Sequence, residues 1–425
     1  MTVRPRETDT MRSSARVLLL VENNAYPFDV RVRREAHALR DARYDVTVIA
    51  PRAKGQPWSE HLDGVDVYRF PAPPGGDGVI GYAFEFAYAT LAMLLLSFWV
   101  AVRKGFDVIH AANPPDTLFV IGAVFKLFGK KFVFDHHDLS PETYLSRFRE
   151  PRPNLVYQVL RAMERCTYSV ADIVIATNES YRHMALTRGG KRANQVFVVR
   201  NGPPQTFKAL DPDLALAGRA KYLVGYIGTM GPQDGVDCWL RSVREIVVTL
   251  ERKDFLAVII GSGDAAPSLH ALAKELGIEA HVWFTGRIPD VEARTWLSTV
   301  SVCVQPDPLS PLNDKSTMNK VMEYMALGKP LVAFDLIETR YSAGESALYA
   351  SPNDELDFAR KVCWLLDRPD ECARLGAIGR DRVTSLLAWE HSVPELLRAY
   401  EQGLDAHPHH ANPVATVALD RQNKH

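Results

Sequence analysis

The residues best suited to bind a ligand lie in the segment at 309–330, LSPLNDKSTMNKVMEYMALGKP. There a polar loop runs into an apolar segment of helical periodicity. Ser316 is a candidate N-cap and Gly328 a candidate C-terminal stop, so the pattern predicts a helix between them. The amides that open a helix carry partial positive charge and attract phosphate. The amides near Thr317 and Met318 could therefore hold a diphosphate.

Three charged residues accompany this predicted helix. Lys315 and Lys320 flank its start and could add positive charge to a phosphate site. Glu323 lies two turns inside an otherwise apolar helix, where a carboxylate is unfavourable unless it accepts hydrogen bonds. Vicinal hydroxyls of a sugar or a ribose would donate such bonds. The alternative is an ordinary glutamate on a solvated helix face.

Two glycine-rich loops, residues 224–235 and 259–264, each follow a predicted strand. Gly228 and Gly261 there would let the backbone approach a ligand closely, although such glycines also serve ordinary tight turns. The chain has no GxxxxGK[ST] loop, and no glycine-rich fingerprint follows its first strand. Nucleotide hydrolases of the Walker type and standard dinucleotide enzymes are therefore disfavoured.

His137 follows a predicted strand within FDHHDLSPE, among Asp135, Asp138 and Glu142. Neighbouring carboxylates favour the protonated imidazole, and ligands of parallel sheets bind at the carboxyl ends of strands. His137 is therefore a candidate reaction-centre residue. A packing or surface histidine is the alternative.

The elements that must position these residues alternate short β-branched runs with amphipathic stretches, the pattern of parallel strands joined by crossover helices. The sequence predicts an α/β fold in two similar halves. In the first half we predict a crossover helix at 30–43 and strands at 17–22, 45–50, 65–70, 107–111, 131–135, 173–177 and 196–200.

A polar, proline-containing stretch after Asn201-Gly202 indicates a domain linker. The predicted organisation is a flexible N-terminus at 1–14, a first domain at 15–202, a linker at 203–220, a second domain at 221–395 and a tail at 396–425. His407, His409 and His410 in that tail could in principle hold a metal, but a frayed tail is the favoured interpretation.

The composition is that of a soluble globular protein: 425 residues, 47% hydrophobic and 24% charged. With 50 Lys and Arg against 51 Asp and Glu, no global field attracts nucleic acid. The five cysteines are scattered and include no CxxC pair, which favours a reducing cytoplasmic compartment. The start of the chain has no apolar signal segment, and we expect no export.

One apolar segment, FAYATLAMLLLSFWVAV at residues 86–102, needs its own explanation. It is shorter than the roughly 20 residues of a spanning helix, and a predicted strand follows almost at once. A spanning helix is therefore disfavoured. A helix buried against the sheet and a helix dipping into a lipid interface, with Arg103 and Lys104 near anionic headgroups, both remain open and are compatible.

Over about residues 15 to 395, the chain resembles the GT-B glycosyltransferases of family 4, in the branch that assembles bacterial polysaccharides. The resemblance is carried by EYMALGKPLVA at 323–333, ADIVIA at 171–176, PFDVRVRREAHAL at 27–39, FDHHDLSPE at 134–142 and Asn201-Gly202. It implies two Rossmann-like domains facing a cleft and sugar transfer with retention of configuration. No metal is expected, since the chain shows no aspartate-x-aspartate element at a strand end.

The resemblance also implies residue roles. Glu323 would bind the nucleotide ribose, His137 would line the reaction centre, and the amides of 316–319 would hold the donor diphosphate. Other donor-side candidates are Gly228, Thr229, Gly261 and Arg287. Acceptor-side candidates on the first domain are Asp29, Arg31, Asp138 and Glu142.

This chain departs from the family pattern at three charged positions. The first glutamate of the family's pair is replaced by Lys315, and the arginine and lysine that clamp the donor phosphates align with Thr229 and Asp234. Because the leaving diphosphate gains negative charge, another cation should replace them. We expect Lys315 and Lys320 in a catalytic role; the reserve candidates are Arg287, Arg31 and Arg33.

The sequence therefore predicts a hexosyltransferase that moves a sugar from a nucleoside-diphosphate sugar to a hydroxyl acceptor in cell-surface glycan assembly. A lipid-linked acceptor at the inner membrane face would suit the apolar segment at 86–102. The alternatives are a nucleotide-sugar epimerase of the same fold and a noncatalytic partner of a glycan-assembly complex, the latter because the charged residues above are replaced.

Overall fold

The first domain is built on an eight-stranded sheet. A computed structural model describes residues 15–73, 78–150 and 152–405. The strands are β1 (Arg16–Leu20), β2 (Asp45–Arg52), β3 (Ser59–Leu62), β4 (Val65–Pro71), β5 (Val108–Ala112), β6 (Lys131–His136), β7 (Ile173–Ala176) and β8 (Val196–Val198). Their order is β3-β4-β2-β1-β5-β6-β7-β8, and all pairs are parallel except β3 with β4.

Helices cover both faces of this sheet, which explains why its central strands are continuous apolar runs. The helices are α1 (Val30–Asp41), α2 (Gly78–Arg103), α3 (Phe119–Lys126), α4 (Ser140–Arg147), α5 (Leu155–Val170) and α6 (Glu179–Thr187). Helix α1 begins where the Asp29 carboxylate accepts a hydrogen bond from the Val32 amide at 2.9 Å. Val32, Ala36 and Leu39 face the core.

The second domain is built on six parallel strands in the order β11-β10-β9-β12-β13-β14. These are β9 (Tyr222–Ile227), β10 (Phe255–Ile260), β11 (Val282–Gly286), β12 (Val302–Gln305), β13 (Leu331–Phe334) and β14 (Ala347–Ala350). The remaining helices are α7 (Leu214–Ala217), α8 (Val236–Arg244), α9 (Ala266–Glu275), α10 (Asp290–Thr299), α11 (Asn319–Ala326), α12 (Ile337–Ala343), α13 (Glu355–Leu366), α14 (Pro369–Arg382) and α15 (Trp389–Asp405).

The two-domain α/β prediction is confirmed. Strand β3 was not predicted, because its four residues, SEHL, are mostly polar and pair only at the sheet edge. Helix α11 begins at Asn319 instead of near Ser316, so the polar loop before it is longer than the pattern suggested.

The predicted tail is wrong at its start, because residues 396–405 belong to helix α15. Trp389, Leu396 and Tyr400 pack into the core of the first domain, whereas Ala388 still packs with the second. The chain therefore returns to the first domain after Ala388, and the predicted boundary at 395 is corrected. The other predicted terminal features, the segment 1–14 and the tail histidines His407, His409 and His410, lie outside the described residues.

The return of the chain requires a glycine in the linker sequence Asn201-Gly202. A Cβ at Gly202 would lie 1.7 Å from the carbonyl oxygen of Leu387, where the second crossing begins. The two crossings between domains therefore touch backbone to backbone.

The apolar segment 86–102 forms most of α2, which extends back to Gly78 and is 26 residues long. Among the described residues it is the one helix long and apolar enough to cross a membrane. Only 17% of its most apolar window is buried, along a stripe that includes Ala89, Met93 and Val100. Burial against the sheet therefore accounts for one face of the helix and leaves the opposite face unexplained.

Candidate active site

A cavity of about 430 Å3 lies between the two domains, where loops at the carboxyl ends of strands from both sheets meet. The predicted site residues in its lining are Asp29, Arg31, His137, Asp138, Ser316, Thr317, Met318 and Asn319. Two larger grooves, of about 610 and 730 Å3, lie beside α15 at the far edge of the first sheet and contain none of the predicted site residues. The cavity between the domains is therefore the candidate active site.

His137 enters the cavity from the loop after β6 and is fixed from two sides. Its backbone amide donates to Asn113 Oδ1 at 2.9 Å, and its Nδ1 lies 3.2 Å from Asp135 Oδ2. Burial disfavours the charged ring, but the hydrogen bond and charge of Asp135 outweigh it and raise the pKa of His137. Since Nδ1 faces Asp135, Nε2 is the ring nitrogen left for a ligand.

Arg31 lines the same cavity, but its guanidinium is committed to buried partners. It forms two hydrogen bonds to Asp135, at 2.7 and 2.6 Å, and donates to the Val199 carbonyl at 2.9 Å. Burial raises the pKa of Asp135, but Arg31 together with hydrogen bonds from two histidines holds it well below its usual range. Arg31 is thus the counter-ion of Asp135, and its predicted place on the acceptor side stays a prediction.

The loop before α11 presents backbone amides without partners. Met318 occupies the N-cap position, and its side chain cannot accept the hydrogen bond that Ser, Thr, Asp or Asn would accept there. The amides of residues 317–320 have no acceptor within the described parts of the chain. Thr317, Met318 and Asn319 line the cavity, and their unpaired amides remain available to an anion.

The first domain holds this loop in place. Asn178 Nδ2 donates to the Lys315 carbonyl at 2.8 Å and to Thr317 Oγ1 at 3.0 Å, and the Tyr181 hydroxyl lies 3.0 Å from Ser316 Oγ. Ser316 also donates to the carbonyl of Leu312, a residue buried in the core of the first domain. The amides of 317–320 are thus fixed relative to His137.

Lys320 lies beneath the glycine loop that follows β9. Its Nζ is 3.2 Å from Asp307 Oδ2 and 3.3 Å from the Tyr226 hydroxyl, and 3.6 Å from the place of a Cβ on Gly228. Burial opposes its charge, but Asp307, Tyr226 and Asp234 raise its pKa. Lys320 is therefore a counter-ion of Asp307, and its predicted role in catalysis stays a prediction.

The side chains under this loop do not carry net positive charge. Asp234, which lines the cavity, has a pKa raised to about 6 because it is buried, and burial also raises the pKa of Asp307. Lys320 lowers the pKa of both carboxyls, and Arg147 also lowers that of Asp234. Because Lys320 is already paired with Asp307, the unpaired backbone amides are the donors left for an anion here.

Glu323 is partly buried, and Arg34 of the first domain lies near enough for its charge to act on the Glu323 carboxyl. Burial raises its pKa; Arg34 on α1 and then Lys320 oppose that shift. Its carboxylate has no hydrogen-bond donor among the described residues, whereas Arg34 is bonded to Asn201 Oδ1 at 3.1 Å and to the Gly202 carbonyl at 2.8 Å. Glu323 is therefore free to accept hydrogen bonds from a ligand, although it lies beyond the 430 Å3 cavity.

Other predicted residues fall outside the cavity. Lys315 directs its Nζ to the Pro311 carbonyl at 3.3 Å, while Thr229 and Arg287 are exposed. A Cβ at Gly261 would lie 2.0 Å from the Gly228 carbonyl oxygen, so these two glycines serve the contact between neighbouring loops. Glu142 is bonded to Arg188 at 2.6 Å, which corrects its prediction as an acceptor-side residue.

Sequence reasoning missed Asn178 and Tyr181, which anchor the α11 loop, and Asp307, the partner of Lys320. The signal for the first two was present, because the sequence ATNESY follows a buried strand directly and strand ends face the cleft. Asp307 also follows a strand, β12, but only the structure shows which cation it meets.

Comparison with known proteins decides the class. The model "Glycosyl transferase 4-like domain" matches residues 29–202, and "Glycosyl transferases group 1" matches residues 221–368. The chain is a glycosyltransferase of the GT-B fold.

Two curated relatives place this glycosyltransferase among diverse sugar transferases. D-inositol 3-phosphate glycosyltransferase 2 of Catenulispora acidiphila is 29% identical over 36% of this chain and 36% of its own length. MMP alpha-(1->4)-mannosyltransferase of Mycolicibacterium hassiacum is 25% identical over 88% of this chain and 94% of its own. The chain spans only 36%, 53% and 37% of the first three curated relatives that it matches.

Two solved structures have the same architecture as this glycosyltransferase. Sucrose-phosphate synthase of Thermosynechococcus elongatus superposes with a TM-score of 0.75 at 19% identity, covering 92% of this chain and 100% of that one. Anabaena HepE in complex with UDP and glucose superposes with a TM-score of 0.66 at 16% identity, covering 91% and 99%. At these identities the likeness shows the fold.

The pairing of Arg31 with Asp135 predicts a specific stability effect. Asp135→Asn breaks a buried ion pair that carries two hydrogen bonds, although Glu35 remains 3.1 Å from Arg31, so at pH 7 we expect the free energy of unfolding to fall by about 3 kcal/mol. The matched control is Asp138→Asn, since burial raises the pKa of Asp138 and the folded state already disfavours its charge. Denaturant unfolding at pH 7 checks both; equal losses in the two variants would contradict the assignment.

Proposed function

We propose that this glycosyltransferase moves a hexosyl group from a nucleoside-diphosphate sugar to a hydroxyl acceptor, with retention of configuration, as a family 4 enzyme of cell-surface glycan assembly. The observation that carries the proposal is the row of unpaired amides at 317–320, held by the first domain in the cavity that also contains His137. Unpaired N–H donors at a helix start suit a diphosphate. HepE, of the same fold, was solved with UDP and glucose.

In the proposed complex the nucleotide lies on the second domain. The amides of 317–320 bind the diphosphate, and the carboxylate of Glu323 accepts hydrogen bonds from the ribose hydroxyls. The sugar then extends from the diphosphate towards His137, whose free Nε2 contacts the reacting end. Because the two domains supply different parts of this site, donor binding requires both.

The proposed reaction keeps the anomeric configuration by using one face of the sugar. The bond from the anomeric carbon to the diphosphate oxygen breaks, and a bond to the acceptor oxygen forms on the same side. The hydroxyl proton passes to the departing diphosphate. The amides of 317–320 stabilise the charge that the diphosphate gains, which is the electrostatic contribution the enzyme makes in the transition state.

The activity is tested with a panel of nucleotide sugars, ranked first by thermal shift. With donor alone we expect slow hydrolysis to free sugar and nucleoside diphosphate; with a hydroxyl acceptor we expect a glycoside of the donor's own anomeric configuration, read by NMR. If the donor alone is converted to an epimerised nucleotide sugar, the protein is an isomerase and not a transferase. Binding without turnover of any donor, including in the presence of membrane lipid extract, would identify a noncatalytic partner.

We further propose that the acceptor is lipid-linked and that α2 rests on the cytoplasmic face of a membrane. The outer face of α2 carries a continuous stripe of exposed apolar side chains, and such patches mark interaction sites. The stripe consists of Phe84, Leu91, Leu95, Phe98 and Val102, which are 59%, 57%, 62%, 40% and 85% exposed. Leu127 and Phe128 at the end of α3 extend it.

Charge and position favour a lipid surface as the partner of this stripe. Arg103 is exposed at the end of α2 with its guanidinium 5.6 Å from the Trp99 ring, an arrangement suited to the headgroup level. At the other end of α2, Arg147 stacks on Tyr82 at 5.3 Å and pairs with Asp264 of the second domain. The stripe thus leads to the gap between the domains, where a lipid-linked acceptor would enter.

Vesicle sedimentation tests this contact. We expect binding to vesicles that contain phosphatidylglycerol, and a loss of about tenfold or more in the variant Leu91→Ser with Leu95→Ser, because two exposed leucines leave the lipid phase. Val291→Ser on α10 removes a similarly exposed residue, 64%, from the other domain and should change nothing. If the protein instead self-associates as its concentration rises, and Leu91→Ser with Leu95→Ser abolishes that association, the stripe is a protein interface.

The role of Lys320 as a counter-ion predicts a paired result. Lys320→Met leaves Asp307 and Asp234 uncompensated, so we expect a free energy of unfolding lower by about 3 kcal/mol and weaker binding of nucleoside diphosphate. Adding Asp307→Asn to Lys320→Met restores the charge balance, and we expect stability and binding to recover together. Calorimetry and denaturant unfolding check this; a stable double variant that still fails to bind would show direct contact between Lys320 and the diphosphate.

A further inference from the structure

Helix α15 reaches the back of the candidate active site through one buried hydroxyl. Tyr400 is 1% exposed, and its hydroxyl lies 2.7 Å from Nδ1 of His110, a fully buried residue of β5. The other ring nitrogen, Nε2, lies 3.3 Å from Glu35 Oε2 and 3.9 Å from Asp135 Oδ2. His110 therefore connects the C-terminal helix to the carboxylate that holds His137.

The charges of this cluster favour His110 as a cation. Glu35 and Asp135 are both completely buried, and Arg31 lies within 3.1 Å of Glu35 as well as bonded to Asp135. Arg31 compensates one of the two carboxylates, and the remaining charge is shared by the two histidines beside them, His110 at 3.3 Å from Glu35 and His137 at 3.2 Å from Asp135. A doubly protonated His110 balances the charge and donates from Nε2 towards the carboxylates and from Nδ1 to Tyr400.

The pKa of His110 agrees with this protonation state. Burial opposes the charge, but Glu35 and Asp135 outweigh it and raise the pKa of His110 to about 9. The ligand atoms of Glu35, His110 and Asp135 also lie within 4.8 Å of one another, as in a metal site. Arg31 is hydrogen-bonded to Asp135 and lies 3.1 Å from Glu35, so a protein cation already lies beside both carboxylates.

We propose that Tyr400 and His110 are positioning residues for the reaction centre: the Tyr400 hydroxyl stabilises His110 as a buried cation, and that cation controls how strongly Asp135 binds His137. The proposal rests on His137 lying at the reaction centre of the proposed transfer. Through these two residues α15, to which we assign no role in binding the donor or the acceptor, affects the protonation of His137.

The coupling passes through one oxygen atom. Asp135 Oδ2 accepts from Arg31 Nε at 2.7 Å, faces His137 Nδ1 at 3.2 Å and lies 3.9 Å from His110. When His110 is charged, its positive charge offsets part of the negative charge of Asp135 and so weakens the attraction between Asp135 and His137. When that charge is lost, more of the Asp135 charge acts on His137, and the proton on His137 is held more tightly.

The other charged groups around the His137 and His110 rings are unchanged by the loss of the Tyr400 hydroxyl. His137 also faces Arg31, Asp29, Asp138 and the neighbouring His136. Around His110 the charged groups are Arg31 and Glu35 on α1 and Asp135 on β6, and the Tyr44 ring packs on Tyr400 at 5.5 Å. A change confined to Tyr400 or His110 therefore reports on this pathway.

Histidine NMR provides the test without substrate. In protein labelled with 15N at its 13 histidines, the His137 signal is assigned by its absence in His137→Asn. We expect the pKa of His137 to rise by about 1 in His110→Gln, which removes the charge but keeps an amide donor for Glu35, and to rise by less in Tyr400→Phe, because Glu35 and Asp135 still favour the charged form of His110. In kinetics the pH limb set by His137 should move the same way, with KM for the donor within about twofold of the original.

Leu396→Ala is the matched control, because Leu396 is fully buried on the same helix and has no polar group. It should lower the stability of the protein and leave the pKa of His137 where it was. An unchanged pKa of His137 in both Tyr400→Phe and His110→Gln would overturn the proposal, as would an equal rise in Leu396→Ala. An NMR shift without a kinetic shift would keep the coupling and place His137 outside the reaction.

Discussion

The candidate site depends on backbone amides that the protein itself leaves unpaired. Helix α11 has methionine where a capping side chain would stand, and the hydroxyls of the preceding Ser316 and Thr317 are bonded to other groups. Desolvated N–H groups without acceptors are unfavourable, so a folded protein keeps them where a ligand or water completes them. Asn178 and Tyr181 of the first domain fix this loop, which makes the unpaired amides a property of the two-domain arrangement.

Side-chain charge in the cleft is largely internal. Lys320 is paired with Asp307, and Arg31 is paired with Asp135, so each cation compensates a buried carboxylate. In the proposed donor complex the unpaired amides of 317–320 attract the phosphate as fixed dipoles, which need no counter-ion, while the ion pairs hold the loops and His137 in their geometry. This arrangement would allow the chain to lack the arginine and lysine of the family pattern.

Much of this could be predicted from sequence because the relevant signals are local. Strand periodicity identified the sheets, and the rule that ligands bind at strand ends located His137 and the α11 loop. The contacts between distant residues could not be predicted. The sequence offers Lys320 and Arg31 as candidate cations for the diphosphate, but nothing in a linear pattern shows which carboxylate each cation meets after folding. The sequence also predicts a tail from residue 396, because the packing partners of α15 lie far earlier in the chain; His110 and Tyr400 are 290 positions apart.

The most direct measurement is a titration of 15N-labelled protein with the nucleoside diphosphate that binds best, followed through the backbone amides of residues 317–320. The account predicts that these four amides shift together on binding and that the free nucleoside, which has no phosphate, leaves them in place. Saturable binding of the diphosphate with these amides unmoved would contradict the account, because the anion would then be held elsewhere in the cleft.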